Sequence, residues 1–321
     1  MITPRAHRAR ATLAALAALL VLSGARTSHA FCRSTTVPVA SNFQPSLDRC
    51  WTEGVPLFWK NTCIGYSIHR LASKQVAYDA AANSMSLAFS KWTGASCPTD
   101  GTGTSRVSID VRDLGPVDCG AVKYNAGYGN QNVIVFRDDT WNKNDSSNTL
   151  ALTTVTFDKD TGEIFDADME VNTFDHHVEV ADPVPAGGYD FASIVTHETG
   201  HFLGMAHSGD PYAVMYSQYR PGTTSLRYLT EDDVSGICTI YRPDGSRAVL
   251  GQKQTVGSSC DPVPRHGFVS ECAPPDNGKF FLCSQIAPGH ASEAASRFAL
   301  FALAMASGLR IVHRKSRRKS A

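Results

Sequence analysis

The sequence has no apolar run long enough to cross a bilayer. Its two apolar runs near the ends, Ala11–Leu22 and Phe298–Leu309, hold 12 residues each, against the roughly 20 a membrane helix needs. It has no excess of basic residues where a nucleic-acid binder would carry one. Residues 1–30 hold four Arg and no acid, and residues 310–321 hold six Lys or Arg and no acid. The body between them keeps 20 basic against 30 acidic residues, a charge balance that argues against nucleic acid as a partner. No Cys-x-x-Cys pair occurs among the nine cysteines at 32, 50, 63, 97, 119, 238, 260, 272 and 283. That scatter favours disulfides over a thiolate metal cluster. Connectivity does not follow from it, and the odd count leaves at least one thiol unpaired within the chain.

The ends carry addresses instead. Arg5, Arg8 and Arg10, the run Ala11–Leu22 and the small-x-small triplet Ser28-His29-Ala30 read as a secretory signal over residues 1–30, with a mature start at Phe31. The expected location is therefore secreted or cell surface. At the other end, residues 291–321 combine a short apolar run with a basic cluster from Arg310 to Lys319. This tail resembles a bacterial cell-surface sorting segment and could attach the chain transiently to a membrane or cell envelope.

The densest chemistry lies between Thr196 and Tyr219. His197 and His201 are four residues apart and project from one helix face, so two imidazoles can meet one metal ion. Glu198 stands beside the metal rather than on it, where a general base belongs. Gly204 suits the backbone turn that ends the helix and brings His207 round as third ligand. Three protein ligands leave one coordination position open, the mark of a catalytic zinc.

The full string His197-Glu198-x-x-His201-x-x-Gly204-x-x-His207, followed by Met215, is the metzincin pattern with its Met-turn. Within that clan the chain resembles the matrixins, the matrix-metalloproteinase-like family. The tokens are Ser208 directly after the third His, Asp210-Pro211, Ala213-Val214-Met215-Tyr216 and Tyr219. The likeness is dense here and looser over residues 56–245, where element order carries it; the type suggested is bacterial and secreted. It implies an α+β metzincin fold: a twisted mixed sheet with an edge substrate strand, an active-site helix and a C-terminal helix, then a small Cys-containing tail. It further implies a zinc endopeptidase acting on protein or peptide substrates, Met215 as an apolar floor under the metal, and a substrate pocket walled by Tyr216 and Tyr219. Ser217 stands where many matrixins have Pro. The His residues that animal matrixins use for a second zinc are replaced by Thr154 and Ile164, which argues against that second site.

The remaining stretches supply the frame. Residues 31–55 read as an irregular leader tied down by Cys32 and Cys50, with a Cys32 thiolate masking the metal as the rival to a structural disulfide. Residues 56–245 form the expected catalytic domain. A strand is expected within Pro56–His69, a helix over Ser73–Trp92 capped by Ser73, and further strands at Arg106–Val111 and Val133–Phe136. Two more strands, Ala151–Phe157 and Ile164–Asn172, flank the turn Asp158–Glu163. In matrixins the first is the edge strand beside which substrate lies. In the second, period two puts Phe165, Ala167, Met169 and Val171 on one face and Asp166, Asp168, Glu170 and Asn172 on the other. Asp166, Asp168 and Glu170 resemble a matrixin calcium segment and could bind Ca2+; otherwise they form an acidic solvent face. His176 and His177 read as surface residues. Asp190 is the expected cap of the zinc helix, and Thr230-Glu231-Asp232-Asp233 opens a last helix through Ile240. Residues 246–290 are a Cys- and Pro-rich loop region. The rival function is a zinc-containing surface binding or adhesion module that does not cut; Glu198, which metal retention alone does not need, argues against it.

Overall fold

The computed structural model describes residues 30–99, 101, 103–141, 148–248 and 254–274. Residues 1–29 of the expected signal, Cys283 and the tail 291–321 lie outside the described residues. In chain order the elements are β1 (Cys32–Arg33), β2 (Cys63–His69), α1 (Tyr78–Thr93), β3 (Ser96–Pro98), β4 (Thr104–Arg106), β5 (Asp110–Val117) and β6 (Val133–Phe136). There follow β7 (Ala151–Phe157), β8 (Ile164–Val171), β9 (Val178–Glu179), β10 (Tyr189–Asp190), α2 (Phe191–Phe202), β11 (Met205–Ala206), α3 (Glu231–Ile240), β12 (Ser246–Ala248) and β13 (Gln254–Val256).

Five strands make the main sheet in the order β5-β2-β6-β8-β7. The first four run parallel, and β7 joins β8 antiparallel at the edge. Central β6, Val-Ile-Val-Phe, is buried throughout, as a strand covered on both faces must be. Helices α1 and α2 pack on each other and on one face of the sheet. The buried stripe Ala81, Met85, Ala88, Phe89 and Trp92 of α1 faces that core. There the rings of Tyr66, Phe89, Phe202 and Trp59 lie 4.7–5.6 Å apart in succession. The indole N–H groups of Trp59 and Trp92 donate to the carbonyls of Phe202 (2.7 Å) and Thr196 (2.9 Å), so both buried donors are paired on the helix that bears the His motif. Among the described residues no helix is long and apolar enough to cross a membrane.

Four disulfides join Cys32–Cys50, Cys63–Cys260, Cys97–Cys238 and Cys119–Cys272. The first removes Cys32 as a masking thiolate. Two of the others bind the stretch after residue 246 back to the sheet. That stretch is also held by β12 pairing with β13 and by the backbone of Ser270, whose carbonyl accepts from the N–H groups of Asp118 and Cys119.

Several sequence expectations shift. Helix α1 starts at Tyr78 behind Ala77, not behind Ser73: the Ser73 hydroxyl accepts from the Gln75 N–H at 3.1 Å and donates to Asp138 at 2.6 Å, which closes a local turn ahead of the helix rather than capping it. The strand expected at Arg106–Val111 is two elements, β4 and β5, with Val107 and Ile109 buried between them. Strand β5 runs on through Gly115 and Pro116, residues an edge strand tolerates because only one side pairs. On β8 the face assignment fails at Phe165. Phe157 pairs with Ile164 while Thr156 pairs with Asp166, so Phe165 is the extra residue of a bulge, which turns its side chain out of the alternation. Its ring lies against Tyr124 and under the Arg265 guanidinium, 3.9 Å away. The acidic face is not solvated either: Asp166, Asp168, Glu170 and Asn172 are all buried.

Candidate active site

Helix α2 is started by Asp190, whose carboxylate accepts from the backbone N–H and hydroxyl of Ser193 at 2.9 and 2.7 Å. Arg227 holds the same carboxylate through two contacts of 2.8 Å. The helix ends at Phe202, and Gly204 turns the chain with φ +92°. A Cβ at Gly204 would sit 3.0 Å from the Leu57 carbonyl oxygen, so conformation and space both call for glycine. Two residues of β11 then pair with β1 and deliver His207.

The three imidazoles converge. Their ligand atoms lie within 4.8 Å of one another. His197 Nδ1 lies 2.6 Å from the Val214 carbonyl and His201 Nδ1 lies 2.9 Å from the Met205 carbonyl. Each Nδ1 must donate there, which leaves a lone pair on each Nε2. Those two Nε2 atoms are 3.1 Å apart. Two lone pairs at that distance repel unless a cation sits between them, and a nitrogen-only donor set of three imidazoles suits Zn2+. Burial, then the neighbouring imidazoles, hold His197 well below the usual histidine range, and His207, more open to solvent, is pushed the same way by burial and His201. Both rings are therefore neutral and ready to ligate at neutral pH.

Glu198 is 6 % exposed and burial pushes its carboxyl above the usual range, against the pull of His201 and Thr153. The Thr153 hydroxyl donates to Glu198 Oε2 at 2.6 Å. Met215 is fully buried under the cluster, and a Cβ added to Gly200 would meet its sulfur at 2.3 Å. The turn carrying Met215 is hung on α3: Asp233 accepts from the N–H groups of Val214 (2.9 Å) and Met215 (3.1 Å). Asp233 also completes a capping box with Thr230. The same Val214 residue presents its carbonyl to His197, so the last helix orients the first imidazole. Neighbouring Asp232 accepts from the backbone N–H groups of Ala30 and Phe31 at 2.7 and 2.8 Å and from the Ser208 hydroxyl.

A cavity of about 530 Å³ opens beside the cluster, bounded by Leu150 and the first edge-strand residue Ala151, Ile194 and Glu198 of α2, and Tyr216, Tyr219 and Leu226 on the far wall. Tyr219 donates to the Thr223 carbonyl and its ring faces Tyr189. Tyr216, Tyr219, Glu198, His197 and His207 thus meet around one space.

Residues 116–242 match the family model described as Matrixin. The chain is matrix-metalloproteinase-like. It is 38% identical over 81 residues to Metalloendoproteinase 1-MMP of Arabidopsis thaliana, covering 25% of this chain and 22% of that protein. It is 48% identical over 54 residues to Matrilysin of Homo sapiens, covering 17% and 20%. With Neutrophil collagenase of Homo sapiens it shares 38% over 77 residues, 24% and 16% of the two chains. The chain thus spans about a fifth of the length of the curated relatives it matches. The mixed sheet with few helices fits the matrixin fold.

Three features of the site escape a sequence reading. Thr153 is one of a Thr-rich strand with nothing local to mark it. Gly200 lies inside a helix, where only the packed Met215 explains it. Asp233 reads as an acid in a first turn favoured by the helix dipole, although its partners lie 18 and 19 residues upstream.

The residues expected for calcium separate. Glu170 forms an ion pair with Arg137 at 2.7 Å. Asp166 and Asp168 share a hydrogen bond, and burial raises both, Asp168 to about 7. A proton shared between two buried carboxylates leaves one negative charge where there would be two and removes their mutual repulsion. The folded pKa lies above the unfolded one, so this pair contributes stability that is present below about pH 4 and is lost as pH rises to about 7. The metal-free protein should therefore lose several degrees of Tm across that window. In Asp168→Asn the amide keeps the Val133 N–H bond, 2.7 Å in the native chain, and donates to Asp166, so the slope should flatten. Equal slopes for the two proteins in thermal melts would exclude the shared proton.

Proposed function

We propose that this chain is a secreted zinc endopeptidase, its site formed by His197, His201 and His207 as ligands and Glu198 as general base. The observation that carries the reading is the convergence of two Nε2 lone pairs at 3.1 Å beside a buried carboxylate, at the mouth of a cavity along a free sheet edge. Zinc bound there supplies a Lewis acid that lowers the pKa of a water and polarises a carbonyl. Glu198 takes the proton of the attacking water and passes it to the leaving amine. Among the described residues strand β7 has no neighbour on its outer side within the sheet, so a peptide backbone can pair with residues 151–157 by β-augmentation. The side chain following the cut enters the cavity walled by Tyr216 and Tyr219, where Leu150, Ile194 and Leu226 give an apolar side chain its contacts within a mixed lining.

Export follows from the signal-like residues 1–30 and agrees with four disulfides. Release after Ala30 would turn the Phe31 N–H, 2.8 Å from Asp232, into an ammonium beside a carboxylate. Attachment through residues 291–321 and a bacterial origin rest on the sequence resemblance alone. Ca2+ is proposed as an alternative to the shared proton at Asp166 and Asp168, with Glu170 beside them; millimolar Ca2+ should then raise Tm at pH 7 in the native chain and not in Asp168→Asn.

The test is cleavage of a broad peptide library by the purified protein with its zinc content determined. Cleavage should stop with a chelator, return with zinc, and be lost in Val155→Pro, whose ring disrupts the edge strand. One bound zinc with no cleavage of any peptide would reject the enzyme in favour of a zinc-containing binding module.

A further inference from the structure

The edge strand does more than offer its backbone. Thr153 sits in β7 opposite Met169 of β8, and its hydroxyl reaches across to α2. There it lies 2.6 Å from Glu198 Oε2 and 3.3 Å from the Glu198 carbonyl oxygen. A hydroxyl has one hydrogen, and the shorter, charge-assisted contact takes it. The torsion that rotates a glutamate carboxylate about its last bond is broad and has no sharp well of its own. The hydroxyl, together with the Thr153 backbone N–H that also bears on this carboxylate, therefore restricts its plane. It leaves Oε1 as the oxygen for a water in the cavity that Glu198 lines.

We propose that Thr153 is a positioning residue for the general base, so that the strand lying alongside the substrate also fixes the carboxylate that accepts the proton. This rests on the reading of Glu198 as that base. Its local neighbours set the contact apart from ordinary packing. Thr154 and Thr156 share the strand, its composition and its partial burial, yet it is the hydroxyl of Thr153 that meets a charged group on α2. A methyl in its place would fill the same volume and leave Oε2 without that donor.

Thr153→Val removes the hydroxyl and keeps the β-branched shape that suits a strand; Thr153→Ser restores the hydroxyl and removes only the methyl. With the full-length protein, kcat for a peptide substrate should fall about 10-fold in Thr153→Val, the scale of one hydrogen bond to a charged group. KM should stay within about twofold, since the hydroxyl touches Glu198 rather than the substrate and its loss is felt in the transition state alone. Thr153→Ser should recover most of the lost kcat. Zinc content and Tm, read on the same samples, should match the native chain in both variants. A kcat in Thr153→Val within twofold of native, or a Ser variant as slow as the Val variant, would overturn the assignment. If Thr153→Val failed to fold, the Ser variant would decide alone against Thr153→Ala: equal kcat in those two would reject the hydroxyl. A native protein that binds zinc and cuts nothing would instead bring down the peptidase reading itself, and Thr153 with it.

Discussion

Glu198→Gln is expected to lower peptide turnover by about 10²- to 10⁴-fold, the range that general acid–base catalysis supplies, with one zinc per chain retained. The amide has the shape of the carboxylate and can still accept the Thr153 hydroxyl through its oxygen, so the site keeps its geometry. What it loses is a group that can take a proton. The three imidazoles are oriented by the Val214 and Met205 carbonyls and by the turn through Gly204, none of which involves the Glu198 side chain. Metal content should therefore be unaffected. The measurement is kcat/KM beside zinc by atomic absorption. Turnover within 10-fold of native would mean that another group moves the proton, and loss of zinc would mean that Glu198 helps to hold the metal.

Asp233→Ala should cost about 3 kcal/mol or more, because two backbone N–H groups in the Met-turn and one at Thr230 lose their acceptor in a buried place. At roughly 2–4 °C per kcal/mol for a domain of this size, Tm should fall by about 10 °C. Zinc affinity should fall as well, since the Val214 peptide that Asp233 holds is the one that orients His197. Asp233→Asn is no remedy. One side of its amide is a donor, and both carboxylate oxygens of Asp233 now face donors. The check is a thermal melt of the metal-free protein with a zinc competition titration on the same variant. A loss under 1 kcal/mol with zinc affinity unchanged would show that the Met-turn stands without α3.

These two residues differ in how far the sequence reveals them. Glu198 is legible because its roles are local: a four-residue spacing on one helix sets two imidazoles on one face, and the residue after the first stands beside the metal. The end of that helix was readable for the same reason, since Gly204 is needed by its own φ. The walls at Tyr216 and Tyr219 came through resemblance, as did the edge strand. Asp233 and Thr153 are opaque because their partners are set by tertiary packing across 18 to 45 residues. Ser73 misled for a related reason: its hydroxyl does accept a backbone N–H, that of Gln75, but the turn it holds together with Asp138 ends before Tyr78, where the helix begins. Phe165 misled because strict alternation assumes no bulge, and the acids beside it are buried in a way that neither a solvated face nor a simple count of oxygens anticipates.

The disulfides decide what a single backbone cut does to this chain. Cys63–Cys260, Cys97–Cys238 and Cys119–Cys272 all bracket the interval from 119 to 238. One backbone cut anywhere in that interval, including at the exposed turn around Tyr212, leaves two fragments tied by three covalent links. Such a nicked molecule would migrate as one species on a non-reducing gel and as two after reduction. Such a cut would change the mass of the intact particle by a single water, and the chain could be broken once without being divided.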